Sequence, residues 1–261
     1  MYGYGGVSIV NAIPAWLGSV MAVDLKAHAE ASVCSSDCEH QSPLIRTVVG
    51  YFREKYNLPP LKIRIDSEIP QTSGLKSSSA VAVATIKAIA HKFSIYEPSI
   101  PRLAAELSRI AGVSITGALD DASAAFYGGI VFTDNLNMNI LRVSDFRKDL
   151  DVVLLFKGVR RKVDVEELRK HYYLFKHVFE AAYSGDIFRA MTMNGLLIAR
   201  ILGYDENVIR RAIELGALAS GVSGNGPTMF AVCREGDCGP LIDYFSAYGS
   251  TKIVKPVRIS H

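Results

Sequence analysis

The sequence predicts an α+β fold in two domains, and three observations carry that prediction. Strand-like and helix-like segments mix without the regular βαβ alternation of a parallel sheet. Near residue 145 a polar run gives way to a new apolar strand, which marks a boundary between domains over 1–145 and 146–261. Hydrophobic residues make up 49% of the 261 positions, enough for a substantial core, while the 21% charged share is that of an ordinary folded surface.

The elements follow in order. Segments 7–10 and 20–33 read as strands, the second alternating apolar residues through Ala27, Ala29, Ala31 and Val33. Ser42-Pro43 can cap and start a helix, along which Leu44, Ile45, Val48, Val49 and Phe52 recur at helical spacing until Asn57-Leu58-Pro59-Pro60 ends it. Residues 61–68 alternate strictly, as a half-buried strand does. Helices are predicted over 78–93, 100–110 and 120–127, the last stopped by Gly128-Gly129, then a strand over 130–133. In the second half a strand at 152–156 precedes helices over 165–183, 186–202 and 206–218, a glycine-rich turn at 221–227, and strands 228–233 and 251–257 around a helix at 240–248.

Composition excludes several functions. A net charge of +3 without a basic-aromatic stripe argues against a nucleic-acid partner. No apolar stretch approaches the roughly 18 residues that span a bilayer, and residues 1–6 carry no signal-like basic region, so a soluble cytoplasmic protein is expected. Cys34, Cys38, Cys233 and Cys238 sit at opposite ends of the chain and are expected as reduced thiols, not as a metal site.

The chemistry concentrates in Pro70-Gln71-Thr72-Ser73-Gly74-Leu75-Lys76-Ser77-Ser78-Ser79-Ala80, which lies between a strand and a helix. The first turn of a helix leaves amides unpaired and carries partial positive charge, so it accepts a phosphate chain. Gly74 allows close backbone approach, three serine hydroxyls can bond phosphate oxygens or a metal ion, and Lys76 adds a mobile cation. One serine would suffice as a cap. The spacing is not that of a Walker A loop. Further on, Asp120-Asp121 places two carboxylates at a helix start, either of which could take or orient the proton of an attacking hydroxyl while the other caps the helix.

Three segments carry a family resemblance that spans the chain. The 70–80 loop resembles the second motif of the GHMP kinases, Leu119-Asp120-Asp121-Ala122 with Gly128-Gly129 the segment holding their catalytic acid, and Ser220-Gly221-Val222-Ser223-Gly224-Asn225-Gly226-Pro227-Thr228 their third, glycine-rich motif. The opening Val7-Ser8-Ile9-Val10-Asn11-Ala12-Ile13-Pro14 with Val23-Asp24-Leu25, and the run from Thr116 to Ala124, resemble the archaeal-type shikimate kinases.

The resemblance implies a ribosomal-protein-like nucleotide domain followed by a ferredoxin-like domain, and ATP with Mg²⁺ as cofactors. The implied reaction is phosphorylation of shikimate to shikimate 3-phosphate. Pro70, Ser73, Gly74, Leu75, Lys76, Ser77, Ser78, Ser79 and Ala80 are then the nucleotide residues, and Ser78 and Glu106 the metal ligands. Asp120 and Asp121 are the catalytic pair. Asn11, Asp24, Ser223, Gly224, Asn225 and Gly226 face the acceptor, and Arg160 and Arg161 lie in the basic cluster best suited to its carboxylate. The chain departs from the family where a small Gly/Lys turn would follow Pro14: it has Ala15-Trp16-Leu17-Gly18, and Trp16 could pack in the protein or stack on a ligand ring. The competing readings are another GHMP enzyme such as homoserine kinase, and a non-catalytic sensor or RNA-binding protein on the same fold.

Overall fold

The computed structural model describes residues 1–35, 38–40, 42–146, 149–159 and 161–259. In chain order the elements are β1 (Tyr2–Val10), α1 (Ala12–Ala15), β2 (Leu17–Val33), α2 (Pro43–Tyr56), β3 (Leu61–Ser67), α3 (Ser77–Lys92), α4 (Ile100–Ile110), α5 (Leu119–Tyr127), β4 (Ile130–Asp134), β5 (Asn139–Ser144), β6 (Leu150–Phe156), α6 (Val165–Lys170), α7 (Tyr172–Tyr183), α8 (Ile187–Leu202), α9 (Glu206–Glu214), β7 (Ala219–Val222), β8 (Met229–Arg234), α10 (Gly239–Ser246) and β9 (Ser250–Val254).

Two antiparallel sheets organise them. The first runs β1-β2-β4-β5 with β3 also on β2, and the second runs β7-β8-β6-β9. The 17-residue β2 is the spine of the first sheet, pairing with β4 at its start, β1 along its middle and β3 at its end. Alanine-rich α3 lies close against β1 and β2 because Ala80, Ala82, Ala84 and Ala88 are all buried and hold no bulk between helix and sheet. One continuous core runs through both halves, from Val7, Phe52 and Ile86 to Phe175, Phe230 and Phe245. The segment after β9 returns to the first sheet, where the Val257 amide donates to the Ala22 carbonyl and the Gly129 amide donates to the Val257 carbonyl.

The predicted helix over 165–183 is two helices. Asp164 caps α6, and His171 leaves helical geometry (φ −93°, ψ 17°) although the apolar spacing continues past it. Three short elements were not expected: α1, β5 and β7. Part of the predicted 221–227 turn is strand β7, because Gly195 of α8 and Gly221 let the two backbones meet without side chains between them. The cysteines also differ from expectation. They form disulfides Cys34–Cys38 and Cys233–Cys238, whose short sequence separations bring the Cα atoms to 6.6 and 5.7 Å, within bridging range. Among the described residues no helix is long and apolar enough to cross a membrane.

Candidate active site

A cleft of about 190 Å³ lies where the start of α3, the start of α5, α1 and the 224–225 turn converge. The loop before α3 is built by three left-handed residues, Thr72 (φ 55°), Gly74 (φ 87°) and Lys76 (φ 69°). The Ser73 hydroxyl donates to the Pro70 carbonyl and accepts the Leu75 amide, so it shapes the loop from within. Leu75 is fully buried and anchors the loop in the core. Lys76 sits at the N-cap of α3 without any side-chain cap bond, and the first helical bond runs from the Ala80 amide to the Lys76 carbonyl. The amides of the first turn therefore point at the cleft with no side chain capping them, beside the hydroxyls of Ser77, Ser78 and Ser79.

The C-terminal glycine-rich turn braces this loop from behind. The Ser223 hydroxyl donates to the Gly74 carbonyl at 2.9 Å, and the Thr228 amide donates to the Ser73 carbonyl at 3.2 Å. A Cβ on Gly74 would overlap the Ser223 carbonyl, so this position needs glycine for space as well as for its positive φ. Across the cleft Asn11 ties the halves together. Its side-chain amide donates to Gly224 O and Asn225 Oδ1, and its backbone amide donates to Asn194 Oδ1 of α8.

The acid pair sits at the start of α5. The Asp121 carboxylate bonds Lys76 Nζ at 2.9 Å, with the two side chains 17% and 9% exposed. Asp120 is 3% exposed, and its Oδ1 is buried without a hydrogen-bond partner. Burial first, then the neighbouring Asp121 charge, pushes the Asp120 carboxyl up to about 7, while Lys76 and the Asn135 side chain partly offset both. Adjacent carboxylates thus have different states: one is open and ion-paired, the other sealed and holding its proton until near neutrality.

The structure brings together much of the predicted set. Ser73, Gly74, Lys76, Ser77, Ser78, Ser79, Asp120, Asp121, Asn11, Gly224 and Asn225 line the cleft. Pro70, Leu75, Ala80, Ser223 and Gly226 shape it without lining it. Three expectations are displaced. Asp24 is exposed on β2, where its carboxylate accepts the Lys255 amide at 2.8 Å and ties down the chain end. Glu106 points to solvent, because α4 turns Ser108 to the cleft and residues two apart on a helix face roughly opposite ways. Arg161 lines a separate depression with Lys157, Lys162, Tyr204 and Pro227, where its amide donates to the Tyr204 hydroxyl. Arg160 lies outside the described residues. Trp16 packs under the Arg169 guanidinium, 5.0 Å from its ring, and does not line the cleft.

Sequence reasoning missed the wall formed by Ala12, Ile13, Val113, Ile115 and Thr116, and it missed Asn135 beneath α5. Ala12, Ile13 and Thr116 lie in segments that carry the family resemblance but were given no role, and Val113, Ile115 and Asn135 carry no local signal.

Comparison with known proteins agrees with this architecture. Residues 43–129 match the GHMP kinases N terminal domain, and residues 180–250 match GHMP kinases C terminal. The chain is 32% identical to a shikimate kinase of Methanobrevibacter smithii, over 94% of this chain and 91% of that one. It is 36% identical to a shikimate kinase of Thermococcus kodakarensis, over 88% and 90%. Among solved structures, the Methanococcus jannaschii mevalonate kinase superposes with a TM-score of 0.79 at 16% identity, covering 99% of this chain and 98% of that one. A homoserine kinase from Cytophaga hutchinsonii gives 0.71 at 16%, covering 99% and 95%. At such identities these two speak for the fold alone. The chain belongs to the GHMP kinase family.

Proposed function

We propose that this protein is a shikimate kinase, acting in the cytoplasm, that moves the γ-phosphoryl of ATP to the 3-hydroxyl of shikimate. The observation that carries the kinase reading is the convergence in one cleft of uncapped α3 amides, three serine hydroxyls and an ion-paired aspartate. The acceptor follows from the likeness to curated shikimate kinases over nearly the whole chain.

Phosphoryl transfer asks a protein mainly for positioning and charge stabilisation. The α3 amides and Ser77–Ser79 hold the phosphates. Asp121 is the carboxylate that receives and orients the acceptor hydroxyl, because it is the more exposed of the two cleft carboxylates and pairs with Lys76, while Asp120 is 3% exposed with Oδ1 buried. Lys76 is placed to leave Asp121 for an arriving phosphate, since both lie in the same cleft.

The cleft also suits Mg²⁺. Among the described residues no cluster of three His, Cys, Asp or Glu side chains exists to cage a metal, and Mg²⁺ characteristically takes one or two protein oxygens plus phosphates and water. Ser78 and Asp121 would hold it, and when bound it would neutralise charge on the phosphates.

The test is a coupled assay of ADP release with shikimate, homoserine and mevalonate in parallel. Turnover with shikimate alone is expected. Turnover with homoserine alone would overturn the acceptor and leave the kinase, and no turnover with any of the three would overturn the reading itself. Asp121→Asn should lower kcat by ~10²–10⁴.

A further inference from the structure

Helix α5 begins without a cap of its own. Ala118 occupies the N-cap in a left-handed conformation (φ 54°), and its side chain has nothing to accept a hydrogen bond. The cap comes from elsewhere. Asn135, sixteen residues after Leu119 and just past β4, accepts the Leu119 amide on Oδ1 at 2.6 Å. Asn135 is 2% exposed and held on two further sides. Its side-chain amide donates to the buried Thr133 hydroxyl at 3.1 Å, and its backbone amide donates to the Trp16 carbonyl at 2.8 Å. Thr133 in turn faces Gly18 across the β2–β4 pairing, and Gly18 leaves the space that the Asp120 carboxyl fills.

This matters because successive side chains on a helix diverge by about 100°. Both carboxylates border the cleft, and a turn of α5 about its axis by one position would carry Asp121 away from Lys76 and lift the Asp120 carboxyl out of its space over Gly18. Ala118 cannot prevent that. The bond from Leu119 to Asn135 fixes the residue immediately before the pair, and Asn135 is itself fixed to the sheet.

We propose that Asn135 is a positioning residue for phosphoryl transfer, fixing the rotation of α5 so that Asp121 faces Lys76 and the cleft while Asp120 stays sealed against Gly18. The inference rests on the reading of Asp121 as the acceptor-facing carboxylate. Asn135 does not line the cleft and acts through the helix.

The test compares Asn135→Ala, Asn135→Asp and Asp121→Asn in the full chain, measuring kcat, KM for both substrates, ADP binding and the pH profile of kcat. Asn135→Ala should lower kcat by about 10- to 100-fold with ADP affinity preserved. KM for both substrates should change far less than kcat, because Asn135 holds the helix and does not line the cleft. Asn135→Asp keeps an oxygen for the Leu119 amide and, once protonated, also keeps a donor, so its kcat should recover toward wild type as pH falls. That recovery is a readout a merely structural cap would not give, and it survives if the alanine variant fails to fold.

Wild-type kcat in Asn135→Ala would overturn the inference. So would a parallel loss of ADP binding, which would mean general damage. If Asp121→Asn is inactive and Asn135→Ala is normal, only this inference falls. If Asp121→Asn turns over normally, the assignment beneath it falls and takes the inference with it.

Discussion

The serine-rich 70–80 loop and the glycine-rich 220–228 segment meet at Gly74 and do opposite things. The 70–80 loop opens its helix start and three hydroxyls toward the cleft, with Ser78 exposed. In the 220–228 turn Ser223 is fully buried, Gly226 packs on the Tyr204 ring, and only Gly224 and Asn225 reach the cleft. One segment presents groups and the other braces them. Gly74 serves contact with the brace, since a Cβ there would overlap the Ser223 carbonyl, and the loop's serines and helix start face the cleft.

The largest expected effect comes where the two meet. Gly74→Ala adds a methyl that overlaps the Ser223 carbonyl and sits at a φ of 87°, so the loop must shift. A displacement of the order of 1 Å costs about 10²-fold in rate, and we expect that loss in kcat/KM for ATP. Activity within threefold of wild type would mean that the brace is not needed. The serines then separate the roles. Ser78→Ala should cut turnover by about tenfold at limiting Mg²⁺ while leaving the melting temperature unchanged. Ser223→Ala strips the donor from Gly74 O and the acceptor from the Ser8 amide, so it should lose about 1–3 kcal/mol of stability with a smaller effect on turnover. If the two variants give the same pattern, the distinction between presenting and bracing is broken.

The same sorting of open against sealed groups applies to the acid pair, and pH reads it. The Asp120 carboxyl is pushed up to about 7 from an ordinary 3.8, so the folded chain keeps a proton that the unfolded chain has lost. Stability from this group therefore falls as pH rises from about 4 to about 7, and the full cost of its buried charge is present above that. Asp120→Asn does not titrate. Its melting temperature should fall less across that window than that of the wild type, and equal slopes would show that Asp120 is ionised throughout.

What could be read from the sequence follows from how local each feature is. That the 70–80 loop and the Asp120-Asp121 pair stand out as candidates was legible because each is a contiguous run of polar residues at a helix start, and the structure places both on one cleft. Glu106 and Asp24 were misplaced because their roles depend on which face of α4 or β2 meets the cleft, and that is decided by packing between distant segments. Arg161 was read as a basic cluster near the acceptor, while the Tyr204 hydroxyl, forty-three residues away, holds its backbone in a separate depression. Asn135 was invisible for the same reason, since its partner is the Leu119 amide and not a neighbour in sequence. The four-residue elements α1 and β7 contain too few residues for a period to register.

The smallest expected effect tests the far end of the brace. The Tyr204 hydroxyl donates to the Asn225 carbonyl at 2.9 Å and accepts the Arg161 amide at 3.1 Å, linking the loop after β6 to the turn that Asn11 grips from the other side. Tyr204→Phe removes both bonds but leaves the ring on Gly226, so packing is preserved. A net cost of about 1 kcal/mol in thermal or urea unfolding is expected, with KM for the acceptor raised by about threefold and kcat hardly changed. The reason is that Asn225 stays tied to Asn11 and can relax only slightly when one of its anchors goes. A tenfold fall in kcat with unchanged stability would mean that this turn takes part in the transfer step itself, and the division of labour between the 70–80 loop and the 220–228 segment would have to be redrawn.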